Sequence, residues 1–227
     1  MSYYATKDIM ERLGKGELIH LNLGSGPKRS EGVTNLDILE SVKPDIICDL
    51  EHEPIPLPDN SCHRIEADYI MEHLSNTLDV LTEIWRISIH GAMVYIGVPY
   101  CMHAAAFRDP THNKFFDIES YRYWDARETL VPHYDYKGMF RVSQIQTELD
   151  PSLKLPVLKE LEESRLREMV FQIQHGCNYQ KKINFFLEAI KEGPEASKKV
   201  ESKIQCSGFI DNKVMVYPVI YTEVNHD

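Results

Sequence analysis

The sequence predicts an α/β protein built on a doubly wound, mostly parallel sheet. Two features point there. Apolar runs of strand length recur along residues 18 to 99, with a helix-period segment among them. The first run also ends in a glycine turn, in "LIHLNLGSGPKRSEGVTNLDI" at residues 18 to 38, and this turn leads to a second run closed by an acid.

The elements follow in order. Residues 5 to 13 predict a short amphipathic helix through Ile9, Met10 and Leu13, stopped by Gly14 and Gly16. Strands are expected at Leu18–Leu23, Val33–Ile38, Asp45–Cys48 and Arg64–Ala67. "NTLDVLTEIWRISIHGA" reads as a helix with Asn76 as N-cap, Leu78, Leu81 and Trp85 on one face and Gly91 as terminator. Met93–Pro99 is apolar nearly throughout, as a strand covered on both faces would be. The second half holds two β-rich runs, "GMFRVSQIQTEL" and "KVMVYPVIYTEV". Between them, Leu158, Leu161, Leu166, Met169 and Val170, and then Ile183, Phe186, Leu187 and Ile190, recur at helical intervals and predict a helical insertion over 150–205. A single domain over 1–227 is expected, with an N-terminal helix in 1–17, a core in 18–149, this insertion, and a final strand in 206–227.

Composition limits the function classes. With 43% apolar and 26% charged residues the chain reads as globular. Lys and Arg number 25 against 35 Asp and Glu, a formal charge of −10, which argues against a partner held mainly through phosphates. No apolar run reaches bilayer length, and "MSYYATKDIMERLGKG" carries acids and no apolar core of a secretory signal, so no membrane partner and a cytoplasmic location are expected. The five scattered cysteines include no CxxC pair and read as reduced structural thiols.

Gly24 and Gly26 let a ligand approach the backbone closely, and Asp37 stands near the end of the next strand, where a carboxylate can accept from both hydroxyls of a ribose. The pair suggests a nucleoside-containing cofactor. A dinucleotide fingerprint would need a third glycine where Arg29 stands, and an acid about twenty residues on. Asp37 follows Gly26 by 37 − 26 = 11 residues, which leaves no room for a full crossover helix.

Taken together, "LNLGSGPKRSEGVTNLDI", "PDIICDLEHEPIPLPDNSCHRIEADYIMEHL", "LTEIWRISIHGAMVYIGVPY" and "RDPTHNKFFDIESYRYW" resemble the class I S-adenosylmethionine-dependent methyltransferases, and among them the methyltransferase type 11 group. The resemblance covers residues 18 to about 125. It implies a Rossmann-like sheet of seven strands with an antiparallel last strand, and S-adenosylmethionine as cofactor. It further implies that Gly24, Ser25 and Gly26 lie against the methionine part and Asp37 binds the ribose. Asp49 would accept from the adenine amino group, Leu50 would pack by the ring, and the Ala67 carbonyl would meet the methionine amino group. "RISIHGA" departs from the group's usual helix end, away from the cofactor site.

Methyl transfer from a sulfonium needs an aligned acceptor and no water, and a hydroxyl acceptor also needs a base. Glu72 and His73, in "MEHL", and His103, Arg108, Asp109 and His112, in "HAAAFRDPTHNKFF", stand at the expected rim. They read either as loop-locking groups or as a general base, His112 or His73, with Asp109 fixing the ring tautomer. Convergence of His73, His103, Asp109 and His112 on a metal has no ligand spacing behind it, so no metal is expected. Tyr121, Tyr123 and Trp124 read as core or as an acceptor pocket. The expected acceptor is a small molecule or a glycan-type group. A catalytically silent scaffold and a nicotinamide oxidoreductase are the competing readings, and the insertion either caps the acceptor site or forms a homodimer contact.

Overall fold

The computed structural model describes residues 4–5, 7–128, 136–152, 162–192, 200–204, 208–210 and 214–223. Fifteen strands and α-helices are defined among them. They are β1 (Tyr4–Ala5), α1 (Lys7–Gly14), β2 (Ile19–Leu23), β3 (Thr34–Asp37), β4 (Ile46–Ile47), β5 (Cys62–Asp68), α2 (Thr77–Ile87), β6 (Ser88–Pro99), α3 (Ala104–Arg108), β7 (Phe140–Leu149), α4 (Glu163–His175), β8 (Gln180–Ala189), β9 (Val200–Ile204), β10 (Gly208–Ile210) and β11 (Val214–Glu223). Leu158 and Leu161 of the predicted helical stripe lie outside the described residues.

The strands form one sheet in the order β1-β4-β3-β2-β5-β6-β8-β7-β11-β10, with β9 also paired to β11. From β4 to β6 all neighbours are parallel. β8 then runs antiparallel to both β6 and β7. The seven strands β4-β3-β2-β5-β6-β8-β7 therefore hold a single reversed member, as the fold class predicts, but it is β8, inside the expected helical insertion, and not the strand expected in 206–227. β11 and β10 extend the sheet beyond β7 by antiparallel pairing.

Two sequence expectations are corrected. Ile183, Phe186 and Leu187 lie on β8 and Ile190 just after it, so this stripe is strand and not helix. The spacing of these four fits a helical period alone, but Ile183, Phe185 and Leu187 alternate onto the buried face, and a strand between β6 and β7 satisfies its backbone on both edges. Nor does Gly91 end the helix: α2 stops at Ile87 and β6 starts at Ser88. Cys62 pairs with Ser88 but Arg64 with Met93, so the residues between them on β6 bulge, and Gly91 supplies a left-handed turn there at φ +78°.

Register places Leu21, Ile65, Val94, Leu187 and Val142 side by side, all buried. α2 contributes Val80, Leu81, Ile84 and Ile87 to the same core, while Leu78 and Trp85 pack at its margin. The next row, Asn22, Glu66, Tyr95, Phe186 and Gln144, faces the other way and is half-buried. No helix separates β2 from β3 or β4 from β5, and β3 reaches β4 through one short 3-10 turn, Glu40–Val42. One face of the sheet thus carries the apolar core and the other a polar, partly open row. Buried Cys48 and Cys62 stay inert, since burial pushes both thiols up to about 12.

Phe185 is fully buried, with its ring 4.6 Å from that of Trp124. Phe185→Ala should cost about 3–5 kcal/mol in urea unfolding. A loss under roughly 1 kcal/mol would contradict β8 as a core strand.

Candidate functional site

The predicted cofactor residues gather at the carboxyl ends of β2 to β5. Gly24 and Gly26 both adopt left-handed φ, +59° and +54°, which a Cβ disfavours by roughly 1–2 kcal/mol. A Cβ on Gly24 would lie 2.8 Å from the Ile70 side chain, whereas one on Gly26 would meet nothing within 4 Å. The Gly26 N–H donates to Asp37 Oδ2 at 2.8 Å, and the Leu39 N–H donates to Asp37 Oδ1 at 2.9 Å. The Ser25 N–H donates to the Leu36 carbonyl at 3.1 Å. The amides of Ser25 and Gly26 are therefore committed to holding the turn, and the glycines serve by leaving room. Asp37 has used two of roughly four lone-pair sites and keeps the others.

Arg29, which stands where a dinucleotide loop has its third glycine, pins the connection instead. Its guanidinium donates to the Lys43 carbonyl and to Asp45. Asp45 in turn accepts from the Asn35 N–H at 2.8 Å. Ten residues cross from β2 to β3 with no helix because side chains replace the helix's own bonding.

Asp49 accepts from the Glu51 N–H at 3.0 Å and lies 2.9 Å from His52 Nδ1. Burial opposes its ionisation, but the bonds from His52 and Glu51 outweigh burial and hold the carboxyl below its ordinary range. Leu50 is buried, and Asn76 Nδ2 donates to its carbonyl at 3.1 Å. A cavity of about 360 Å³ opens between residues 50–55 and α2, lined by Leu50, Asn76 and Asp79 among others, but by neither glycine nor Asp37. Asn76 is the N-cap of α2 by position only, since its side chain makes no capping bond. Ala67 is fully buried at the end of β5.

Beyond β5 the chain turns sharply. Tyr69 holds φ +57°, an outlier for a bulky residue, and Ile70 drops onto Gly24. A 3-10 turn, Met71–His73, then places Glu72 and His73 beside His112, which comes from the loop after α3. Donor atoms of Glu72, His73 and His112 all lie within 4.8 Å of one another, and the two rings meet edge to face at 4.7 Å. Burial pushes the Glu72 carboxyl up to about 7, and among the described residues neither of its oxygens has a hydrogen-bond partner. Burial, and then His112, lower His73 and favour its neutral form.

Asp109 reaches His73 through Thr111. The Thr111 hydroxyl donates to Asp109 Oδ1 at 2.7 Å and so can only accept from His73 Nδ1, at 2.9 Å. The bond from that hydroxyl, and then the Thr111 N–H, hold the Asp109 carboxyl below its ordinary range. His112 Nδ1 donates to the Ala106 carbonyl at 2.8 Å. His103 does not join the group; it is buried, with Nε2 2.8 Å from Asp150 Oδ2. Tyr121 and Trp124 are core, while Tyr123 is exposed and, with Trp124, Lys114 and Phe115, lines a cavity of about 600 Å³.

Sequence reasoning missed a neighbouring network on the polar face. Lys182 is 7% exposed, its Nζ 2.7 Å from Asp68 and 4.6 Å above the Tyr69 ring. The Tyr95 hydroxyl donates to Asn184 Oδ1 at 2.8 Å, and Asn184 Nδ2 donates to Glu148 at 2.7 Å. The strand alternation in "KKINFFLEA" was the signal that would have put Lys182 and Asn184 on this face.

Comparison with solved structures agrees with the fold. A crystal structure of an S-adenosylmethionine-dependent methyltransferase from Archaeoglobus fulgidus superposes with TM-score 0.51 at 16% identity, over 80% of this chain and 91% of that one. The chain shares its fold with a methyltransferase. The YcgJ protein of Bacillus subtilis superposes with TM-score 0.50 at 13% identity, over 83% of this chain and all of that one. No family model matches the sequence, and no curated protein does. Among the described residues, no helix is long and apolar enough to cross a membrane.

Gly24→Ala should lower stability by about 1–3 kcal/mol, because it meets both the left-handed φ and Ile70, and should lose more than Gly26→Ala. Equal losses in parallel urea titrations would contradict the packing of Ile70 over the turn.

Proposed function

We propose that this chain binds S-adenosylmethionine and moves its methyl group to a small-molecule or glycan-type acceptor. The observation that carries this reading is the glycine turn clamped to Asp37 across the ends of β2 and β3, in a sheet of the methyltransferase order. The residues present fit the cofactor: an open space beside Gly26, spare acceptor sites on Asp37, and an ionised Asp49 next to buried Leu50.

In this reading Asp37 takes the ribose hydroxyls, Asp49 the adenine amino group, Leu50 the ring face and the Ala67 carbonyl the methionine amino group, with Gly24, Ser25 and Gly26 shaping the space. When bound, the cofactor supplies a methyl group on a sulfonium, a good leaving group already in place. The protein's share is to hold the acceptor in line and keep water out. Ser75 and Lys114, which border the cavity of about 600 Å³, stand two residues beyond His73 and His112, so the acceptor side falls at that rim. In this reading His112 or His73, which border the cavity's rim without lining it, serves as the base for a hydroxyl acceptor, and Asp109 positions His73 through Thr111. The formal charge of −10 favours acceptors other than nucleic acid.

Isothermal titration with S-adenosylmethionine and S-adenosylhomocysteine should show saturable binding, and NADH should show none. Asp37→Ala should weaken binding by about tenfold to a hundredfold, the worth of one or two hydrogen bonds to a charged group. Absence of binding by folded protein would overturn the reading in favour of a silent scaffold, and NADH binding would favour an oxidoreductase.

A further inference from the structure

We infer that Glu72, His73 and His112 form a binding site for one divalent transition-metal ion. Three independent features converge on it. The first is proximity: nitrogen and oxygen ligands held at about 2.0–2.2 Å from an ion stand roughly 3–4 Å apart. The three donor atoms already lie within 4.8 Å of one another. Binding would close the remainder by small rotations of the two half-buried histidines.

The second is the tautomer set by the outer partners. Thr111, its own proton committed to Asp109, accepts from His73 Nδ1, and the Ala106 carbonyl accepts from His112 Nδ1. In the neutral imidazoles this leaves the Nε2 lone pair of both rings free. Metal-ligating histidines are held in this way, with the second nitrogen donating to a carbonyl or a carboxylate-linked group.

The third is the carboxylate itself. Glu72 is 1% exposed, and both its oxygens are buried without a hydrogen-bond partner among the described residues. A buried carboxylate without partners is costly, and a cation shared with two imidazoles would satisfy it. Its backbone carbonyl accepts from the Asn113 and Lys114 N–H groups at 2.7 and 3.0 Å. The segment bearing His112 is thereby fastened to the turn bearing His73. Two imidazoles and one carboxylate suit Zn²⁺, Co²⁺, Fe²⁺ or Mn²⁺ better than Mg²⁺ or Ca²⁺, and three protein ligands leave positions open toward the rim. The site stands whether or not the chain transfers methyl groups.

The test is a titration of the full, chelator-stripped, tag-free chain with Co²⁺ and Zn²⁺, read by calorimetry, by the visible absorption of bound Co²⁺ and by melting temperature. One equivalent should bind, with a rise in melting temperature. Glu72→Gln and His112→Ala should each weaken binding by about a hundredfold or more, and Thr111→Val by roughly tenfold. His175→Ala, a histidine remote in sequence whose ring stacks on Phe171, should change nothing. No uptake by the wild-type chain, or uptake unchanged in both Glu72→Gln and His112→Ala, would overturn the inference. If Glu72 is instead a buried protonated acid, Glu72→Gln will be at least as stable as wild type and no ion will bind.

Discussion

Asp37 closes the front of the site. Its two oxygens accept from the amides of Gly26 and Leu39, one on each side of β3, so one carboxylate fixes the turn after β2 and the exit of β3 together. A parallel pair normally needs a crossover of a dozen or more residues, usually helical. Here the crossover is short and non-helical, and the missing helical bonds are replaced by Asp37 at one end and by Arg29 with Asp45 at the other. The left-handed glycines follow from that constraint. A turn pulled this tightly onto its own sheet has no space for a side chain at Gly24, where Ile70 already sits.

The contact between Gly24 and Ile70 links the front of the site to its back. Ile70 follows Tyr69, whose left-handed backbone bends the chain away from β5 and sends it over the turn. The same bend delivers Glu72 and His73 to the loop of His112. Lys182, on the reversed strand β8, reaches across to Asp68 and lies over Tyr69. The bend is thus held by a charge from the far half of the chain. A strained tyrosine persists only where its surroundings over-determine it, and Gly24, Asp68 and Lys182 supply that determination.

The parallel half was legible because its signals are local. Ile19–Leu23 alternates apolar residues and runs into Gly24, and Asp37 announces itself by ending the next strand after a glycine turn. β8 was not legible because Ile183, Phe186, Leu187 and Ile190 fit a helical period, and pairing with β6 and β7 overrides that pattern. The Glu72, His73 and His112 group could be named but not assembled. Two of its members are adjacent in sequence and the third arrives by a tertiary contact, whereas His103, nearer to His112 in the chain, pairs with Asp150 instead. Asp109 was expected to fix an imidazole tautomer, and it reaches His73 only through Thr111, a residue with no sequence signal of its own.

The claim at the centre of this account is that the turn held by Asp37 receives the cofactor. The most direct measurement is the amide spectrum of ¹⁵N-labelled protein during addition of S-adenosylhomocysteine. The account predicts shifts concentrated at Gly24, Gly26, Leu39, Asp49 and Leu50. Saturable binding that leaves the Gly26 and Leu39 amides unmoved would contradict it.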